Sequence, residues 1–305
     1  MPTDRSGESV DPSAPRLVLI SPCRNEAETL ERTLASIEAQ TLQPVLWVIV
    51  DDGSTDETPE ILAAAEERIP FLRVVRREDR GFRKVGGGVI EAFDCGLEAV
   101  DTDYDFLAKL DVDLELDPRY LEVALPYFEE DPLLAAVSGQ VYCYRGGEFV
   151  EEFSMIAEAV AGCFKLYRRE AFEAIGGFQR EVMWDGIDIH ECRRRGLRTT
   201  NLPDEALRIL HLRPMGASDR SIYRGRLRWG EGQWFMGSSF PYVLASGLFR
   251  MRERPWVIGG LLIIVGFLKA GCQRKPRYEV PEFRVALRSW QWARLRETLR
   301  GFFGG

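Results

Sequence analysis

The sequence predicts an α/β protein with a mostly parallel central sheet that is flanked by helices. Apolar runs of strand length alternate with segments of helical periodicity from Leu17 to Asp113. Polar turns follow the apolar runs, as they do where parallel strands lead into helices. The chain has 305 residues, of which 45% are hydrophobic, so it can bury a substantial core.

The first strand–loop–helix unit begins with the apolar run Leu17–Ile20. The run breaks at Ser21–Pro22 and is followed by Leu30, Leu34 and Ile37, which are spaced as on one face of a helix. This pattern predicts a strand, a polar loop and an amphipathic helix.

The second unit repeats this order with the strand Val45–Val50, the turn DDGSTDET and a helix that Pro59 can begin. A third strand (FLRVVRRE), a glycine-rich loop (81–88), a helix (IEAFDCGLEAV) and a fourth strand (YDFLAKLDVD) follow. In such sheets, ligands bind outside the carboxyl ends of the strands. The polar breaks SPCRNE, DDGSTD and DVD lie at those ends, so we expect the binding site there.

Two carboxylates interrupt the fourth strand. Side chains alternate along a strand, so Asp111 and Asp113 share a face while Val112 points into the core. Two like charges so close repel unless protons or a cation neutralise them. Oxygen ligands of this kind suit Mg²⁺ or Mn²⁺, which commonly bridge substrate phosphates. The alternative is a solvated acidic turn.

The glycine-rich loop and the turn DDGSTD each allow two interpretations. Loop 81–88 carries Arg83 and Lys84, whose natural partners are phosphate oxygens, although simple loop flexibility explains the glycines equally well. The turn can instead cap the next helix through Ser54 or Thr55.

The motifs SPCRNEAETLERTLASI, VIVDDGSTDET, FLAKLDVDLELDP, KLYRREAFEAIGGF and WDGIDIHECRRRG occur in this order. Together they resemble family 2 of the inverting glycosyltransferases, which have the GT-A fold. The resemblance implies transfer of one sugar from a UDP-, GDP- or dTDP-sugar to an acceptor hydroxyl, with inversion at the anomeric carbon. A carboxylate that accepts a hydrogen bond from a base N–H suits uracil, thymine or guanine.

The resemblance also implies roles for individual residues. Donor-binding residues would be Pro22, Arg24, Asn25, Glu26, Asp51, Asp52, Arg83, Lys84 and Asp111. Metal ligands would be Asp113, Asp111 and, as in some members, His211, although one histidine at a strand end is often only a satisfied polar residue. Arg228 lies in the segment 223–237, which is similar to the Q-x-x-R-W motif of polysaccharide synthases, and it would contact the diphosphate. The alternative is that this segment is a structural amphipathic helix.

The acceptor side is implied by a carboxylate after a Gly-Gly-Phe turn. Asp185 aligns with the family's catalytic base, and Trp184 stands where the family usually has Glu. Trp184 could stack on a sugar face. Asp188 lies on the same helical face as Asp185 and would be a second acceptor contact, or would serve the helix dipole instead.

Charge is distributed unevenly along the chain. The whole chain carries −8, whereas residues 250–305 contain twelve Lys/Arg and four Asp/Glu and so carry +8, which leaves −16 for the rest. Residues 255–268 are an uncharged run of fourteen with basic flanks and Trp256, shorter than the roughly 20 residues of a spanning helix. We expect a helical extension that lies on an anionic membrane at its cytoplasmic face, peripheral or monotopic. The alternative is a buried helix with a solvated basic rim.

The predicted domain organisation follows. Residues 1–15 are polar and lack an apolar core, so they are expected to be a disordered lead rather than a signal peptide. Residues 16–215 form the transferase domain, with a nucleotide-binding half (16–115) and an acceptor half (116–215). A flap or linker (216–250) and a basic amphipathic membrane-associating tail (251–305) complete the chain.

Other function classes are less consistent with the sequence. Six cysteines without a C-x-x-C pair argue against a zinc or redox motif. The acidic body lacks an extended basic groove for nucleic acid. A lipid-linked, envelope or exopolysaccharide glycan is the expected acceptor. The rival functions are a sugar nucleotidyltransferase and a catalytically silent membrane-surface scaffold.

Overall fold

The computed structural model describes residues 14–79, 81, 86–152, 155–213 and 221–303. The chain forms two compact units. The first contains residues 1–180 and 196–215, and the second contains residues 181–195 and 216–305. The predicted domain boundaries stay a prediction.

The first unit contains all the strands of the described residues. They are β1 (Leu17–Cys23), β2 (Leu46–Asp51), β3 (Leu72–Arg76), β4 (Phe106–Leu110), β5 (Leu114–Leu116), β6 (Leu134–Gly139), β7 (Val141–Arg145), β8 (Glu148–Glu151), β9 (Phe164–Arg168), β10 (Arg198–Leu202) and β11 (Ile209–His211). Its helices are α1 (Ala27–Glu38), α2 (Thr58–Arg68), α3 (Gly87–Glu98), α4 (Tyr120–Ala124), α5 (Pro126–Glu130) and α6 (Arg169–Ile175).

Seven strands form the central sheet in the order β10-β6-β9-β4-β1-β2-β3. All of its pairings are parallel except those of β9, which runs antiparallel to β4 and to β6. Helices cover both faces. Leu30 and Leu34 of α1 belong to one buried cluster with Leu17 and Leu19, whereas Gly96 of α3 contacts Ile20 on the opposite face. The predicted mostly parallel α/β architecture is confirmed.

A second sheet of four strands has the order β5-β11-β7-β8. β11 pairs antiparallel with β5 and parallel with β7, so His211 lies opposite Leu114 on one side and Cys143 on the other. This sheet connects the residues after β4 to a segment almost 100 positions later in the chain.

Two strand boundaries differ from those predicted. β1 does not break at Ser21–Pro22 but continues to Cys23, because it stays paired with β2 after its pairing with β4 has ended at Ile20. The fourth strand ends at Leu110, before the two aspartates. Asp111 and Asp113 therefore lie in the turn that leads from the central sheet to the small sheet, and Val112 between them is buried, as expected.

The second unit is helical in its described residues. Its helices are α7 (Trp184–Arg194), α8 (Ile222–Met236), α9 (Phe240–Arg250), α10 (Ile258–Cys272) and α11 (Pro281–Phe303). Glycines permit unusually close helix packing. A Cβ atom on Gly230 of α8 would lie 2.0 Å from the Ile263 carbonyl of α10, and one on Gly260 of α10 would lie 2.1 Å from the Gly247 carbonyl of α9.

Length and apolar character decide whether one of these helices could cross a membrane. Within the residues that the structure describes, none is both long enough and apolar enough to cross a bilayer.

Candidate functional site

The carboxyl ends of β1 and β2 lie side by side, and hydrogen bonds join the loops that follow them. The Asn25 backbone N–H donates to Ser54 Oγ at 2.9 Å, and the Thr55 N–H donates to Asn25 Oδ1 at 2.8 Å. Asn25 has φ 55°, a left-handed conformation that asparagine tolerates better than most residues. Pro22 is the residue of β1 opposite Val50. The structure thus brings the predicted SPCRNE and DDGSTD motifs together.

Asp51 and Asp52 are both buried at the end of β2. Asp51 Oδ1 accepts a hydrogen bond from the Ser54 N–H at 2.8 Å, and Asp52 Oδ1 pairs with Arg77 Nη1 at 2.7 Å. Arg24 donates to the Asp52 carbonyl at 2.6 Å. These contacts fix the backbone where a nucleoside would have to lie according to the family resemblance.

The turn DDGSTD does not cap α2 through Ser54 or Thr55, so that alternative is wrong. The residue before the helix is Glu57, and the carboxylate of Asp56 accepts the Thr58 N–H at 3.1 Å. Ser54 is instead held by Asp51 and Asn25.

The Asp-x-Asp turn is paired with cations. Lys109, 1% exposed, places Nζ 2.5 Å from Asp111 Oδ1 and 2.8 Å from the Gly162 carbonyl. Arg213 places Nη2 3.0 Å from Asp113 Oδ2 and 2.5 Å from Glu26 Oε2. Arg213 thereby connects the loop after β1 to the turn after β4.

His211 is the third predicted ligand, and it lies beside Asp113. Its Nε2 atom is 3.5 Å from Asp113 Oδ2, and its Nδ1 atom is 2.7 Å from Glu152 Oε2. Both His211 and Glu152 are buried. The structure therefore brings Glu26, Asp113 and His211 into one cluster with Arg213. Asp111 lies two residues before Asp113 in the same turn.

The two aspartates have pKa shifts of opposite direction. Desolvation raises the pKa of Asp111 more than Lys109 lowers it, and Asp113 adds to the rise. Burial also acts to raise the pKa of Asp113, but His211 and Arg213 outweigh it and the pKa is lowered. Burial would lower the pKa of His211, yet hydrogen bonds to Asp113 and Glu152 raise it to about 10.

The second unit contains the residues that were assigned to the acceptor. Asp185 lies in the first turn of α7 and is exposed, whereas Trp184 and Asp188 are buried. Met183, which precedes the helix, has φ 72°, a strained conformation of the kind that clusters at functional sites. Asp188 Oδ1 accepts a hydrogen bond of 2.7 Å from the backbone N–H of the next residue, Ile189. The predicted roles of Trp184 and Asp188 stay predictions.

Three further predicted donor contacts stay predictions. Arg228 is a partly exposed residue of α8, and residues 223–236 all belong to this one helix of the second unit. Arg83 and Lys84 lie outside the described residues.

Comparison with known proteins identifies the domain. Residues 18–156 match the family model described as glycosyl transferase family 2. This chain carries a family 2 glycosyltransferase domain. The match covers the loops after β1 and β2, the Asp-x-Asp turn and Glu152, whereas His211 and Arg213 lie outside the matched residues.

The glycosyltransferase domain has relatives among characterised proteins. The poly-beta-1,6-N-acetyl-D-glucosamine synthase of Staphylococcus aureus (strain COL) is 24% identical over 229 residues, which are 69% of this chain and 52% of the synthase. Glycosyltransferase AglD of Haloferax volcanii is 26% identical over 290 residues, 87% of this chain and 43% of AglD. The chain therefore spans about half the length of the curated relatives it matches.

A solved structure confirms the predicted GT-A architecture. Mannosyltransferase PcManGT from Pyrobaculum calidifontis, in complex with GDP-Man and Mn²⁺, has a TM-score of 0.52 and 17% identity. The alignment covers 99% of this chain and 90% of that structure. At this identity the likeness concerns the fold alone.

The donor atoms of the glycosyltransferase domain fit a divalent cation chemically. Among the described residues, no group of three or more His, Cys, Asp and Glu side chains is preassembled around one point. The chemistry of Asp111, Asp113 and His211 is nevertheless that of a Mn²⁺ or Mg²⁺ site. Metal-ligating histidines generally donate their second ring N–H to a carboxylate, as His211 does to Glu152. In this structure Lys109 and Arg213 supply the positive charge.

The sequence did not identify three members of this cluster. Lys109 lies within the predicted fourth strand, where a charge among the apolar residues of FLAKL is a signal of a buried polar partner. Arg213 follows His211 by two positions, which places both at one strand end. Glu152 carries no local signal, because only the pairing of β7 with β8 and β11 brings it to His211.

Proposed function

We propose that this protein is an inverting, metal-dependent glycosyltransferase. It moves one sugar from a nucleotide diphosphate sugar to a hydroxyl group of a glycan acceptor, which is lipid-linked or part of an envelope or exopolysaccharide glycan. The observation that carries this proposal is the cluster of Asp113, His211 and Glu152 at the edge where the family's donor motifs meet.

The donor site is built from the loops after β1 and β2 and the turn after β4. Buried Asp51 is the candidate acceptor of a base N–H, and the backbone of Glu26 is held by the Thr58 hydroxyl, which accepts the Glu26 N–H at 2.9 Å. A bound Mn²⁺ or Mg²⁺ held by Asp111, Asp113 and His211 would stabilise charge that develops on the leaving diphosphate. Glu152 fixes the orientation of His211.

Asp185 is proposed as the general base. The acceptor oxygen forms a bond to the anomeric carbon, and the bond from that carbon to the diphosphate oxygen breaks. The acceptor proton passes to the Asp185 carboxylate, and the nucleoside diphosphate leaves with the bonding electron pair. Attack opposite the leaving group inverts the anomeric configuration. The exposed position of Asp185 suits contact with an external acceptor.

The test is a panel of UDP-, GDP- and dTDP-sugars incubated with glycan and polyprenyl-diphosphate acceptors, with and without Mn²⁺ or Mg²⁺. We expect a cation-dependent release of nucleoside diphosphate from one donor and a product whose anomeric configuration, read by NMR, is inverted. Asp185→Asn should lower turnover by about 10²–10⁴-fold while donor binding is retained. Exposed Glu181→Gln is the matched control and should turn over normally.

Each rival function has its own outcome in this experiment. A parallel arm supplies nucleoside triphosphates and sugar 1-phosphates, and release of pyrophosphate with formation of a nucleotide sugar there would indicate a sugar nucleotidyltransferase and would contradict the proposal. Donor binding without turnover, together with full cellular function of Asp185→Asn and Asp113→Asn, would indicate a catalytically silent scaffold. Turnover at the parental rate in Asp185→Asn would refute the assignment of the base alone.

A further inference from the structure

Exposed apolar side chains are concentrated in one part of the second unit. Of the twenty large hydrophobic residues that are exposed in the described part of the chain, ten lie between residues 240 and 268. They are Phe240, Leu244, Leu248, Phe249, Trp256, Val257, Ile258, Leu261, Val265 and Leu268. We call these ten residues the α9–α10 face.

The spacing of these residues shows a second apolar side on each helix. In α9, Phe240, Leu244 and Leu248 recur every four residues, while Val243 and Gly247 are buried. A helix of a water-exposed surface normally places polar residues opposite its buried side. Helix α1 does so, since it exposes Glu28, Glu31 and Arg32.

Helix α10 repeats this arrangement. Ile258, Leu261, Val265 and Leu268 are between 46% and 50% exposed and lie three or four residues apart. The other side of α10 is buried through Gly259, Gly260, Ile263, Gly266, Phe267 and Ala270. The helix is therefore apolar on all sides but only partly covered by the protein.

The two apolar sides belong to one surface because α9 and α10 touch at their backbones. A Cβ atom on Gly260 would lie 2.1 Å from the Gly247 carbonyl. Leu248 and Leu261 each follow one of these contact glycines and are exposed. Monomeric soluble proteins rarely leave contiguous apolar surface of this kind uncovered, and it commonly marks an interaction site.

Cations lie at both ends of α10. Arg252 and Arg254 are exposed in the connection between α9 and α10, and Lys269 and Arg274 are exposed at the other end. The acidic residue of that connection, Glu253, is already paired with Arg250 at 3.0 Å and with Arg226 at 2.8 Å. The charge that the α9–α10 face presents beside its apolar residues is thus positive.

We propose that the α9–α10 face docks on the surface of an anionic lipid bilayer. Apolar residues enter the boundary between headgroups and acyl chains, and flanking arginines and lysines bind lipid phosphates. Trp256, 62% exposed two residues before α10, has the amphipathic ring that is favoured at this depth. At 1.5 Å per residue, the fifteen residues of α10 are about 22 Å long, which suits a helix lying in the interface.

This proposal assigns membrane contact to α9 and α10 rather than to the whole basic tail. Helix α11 buries Phe283 and Leu287 against Ile187 of α7 and Met236 of α8, so it has an intramolecular partner. The inference is also independent of the proposed glycosyl transfer. Vesicle binding is measured without a donor or an acceptor, so either proposal can fail alone.

The experiment is flotation of the full chain on vesicles of phosphatidylcholine with 30–40% phosphatidylglycerol and, separately, of phosphatidylcholine alone. We expect binding to the anionic vesicles that weakens when salt is raised. The triple variant Leu248→Ser/Leu261→Ser/Val265→Ser should lose at least tenfold in vesicle partitioning. Arg252→Gln/Arg254→Gln should lose binding to anionic vesicles while its circular dichroism spectrum stays unchanged.

The matched control is Val285→Ser/Leu299→Ser, which changes exposed apolar residues of α11. This control should float like the parent chain. The proposal is overturned if the parent does not float with anionic vesicles, or if the control loses as much binding as the triple variant. It is also overturned if the triple variant converts a dimer to a monomer in light scattering without changing flotation, because a second copy would then be the occupant.

Discussion

Glu152 Oε2 lies 2.7 Å from His211 Nδ1, and both side chains are buried. The ring is consequently held with Nε2 toward Asp113, at 3.5 Å from its Oδ2 atom. A carboxylate behind a histidine fixes both the tautomer and the orientation of the ring. Glu152 is therefore a positioning residue that acts through His211.

Replacing Glu152 by Gln should weaken cation binding. Loss of an outer partner of this kind typically costs about 10–100-fold in metal affinity, and we expect a loss in that range. Titration with Mn²⁺ followed by electron paramagnetic resonance measures the affinity without any turnover. Glu151→Gln, an exposed neighbour in β8, is the control and should bind Mn²⁺ like the parent. Equal affinities of the two variants would contradict the role of Glu152.

Lys109→Met should lower the free energy of unfolding by about 1–3 kcal/mol, because it leaves Asp111 without its buried cation. The expected cost is below that of a fully buried pair, since 33% of the Asp111 side chain is exposed. Denaturant unfolding measures it.

The same variant tests whether a metal replaces the lysine charge. Added Mn²⁺ should raise the melting temperature of Lys109→Met by more than that of the parent chain. In Lys109→Met/Asp111→Asn this extra gain should disappear, because one carboxylate is gone. A similar gain in all three proteins would argue against a cation at Asp111.

Gly53→Ala should disrupt the turn after β2. Gly53 has φ 76°, and a Cβ atom there would lie 2.4 Å from Asp79 Cα, so both conformation and space oppose a side chain. We expect a loss of more than about 3 kcal/mol in unfolding free energy, together with weaker nucleotide binding. Gly146→Ala separates the two effects.

Gly146 has φ 62°, but an added Cβ atom would have no neighbour within 4 Å. Its replacement should cost only about 1–2 kcal/mol, the usual penalty for a side chain in the left-handed region. If both variants lost the same stability in denaturant titrations, the close approach of Asp79 to Gly53 would have no energetic role.

Stability should fall in mild acid because of His190. Burial, followed by the charge of Arg193, lowers the pKa of His190 to about 3, and Arg193 donates to its Nδ1 atom at 2.6 Å. In the unfolded chain the pKa is near 6.5, so the unfolded state binds more protons between these values. We expect His190 to account for a loss of up to about 2 kcal/mol between pH 7 and pH 5.

The measurement is urea unfolding of the parent and of His190→Gln across this pH range. Carboxylates contribute equally to the pH dependence of both proteins. The difference between the two plots of unfolding free energy against pH is therefore the contribution of His190. His190→Gln should show the flatter profile. Parallel profiles would mean that His190 is protonated to the same extent in the folded and unfolded chains.

The local pattern of the sequence was sufficient to predict the first half of the central sheet. β1, β2 and β4 are apolar runs in which each strand is followed by polar residues, and their parallel pairing places those residues at one edge. The antiparallel insertion of β9 between β4 and β6 was not predictable in this way. It depends on pairings such as Leu107 with Tyr167, which are distant in the chain and carry no local signal.

The candidate site shows the same division. Asp111 and Asp113 stand out because they are charges beside apolar runs, and their motif also points to a family. The residues that compensate them are harder to predict from the sequence. Arg213 reaches both Glu26 and Asp113 only because β11 pairs with β5, and the short polar segment around it gives no indication of those partners.

The pairing of His211 with Leu114 across β11 and β5 limits how this chain can change in length. Successive residues of a strand face opposite sides, so a one-residue deletion within β11 would turn the imidazole away from Asp113. Evolution can therefore lengthen or shorten the turn that enters β11 more freely than the three residues of the strand itself. Among natural relatives, insertions that spare catalysis should gather before Ile209 rather than between Ile209 and His211.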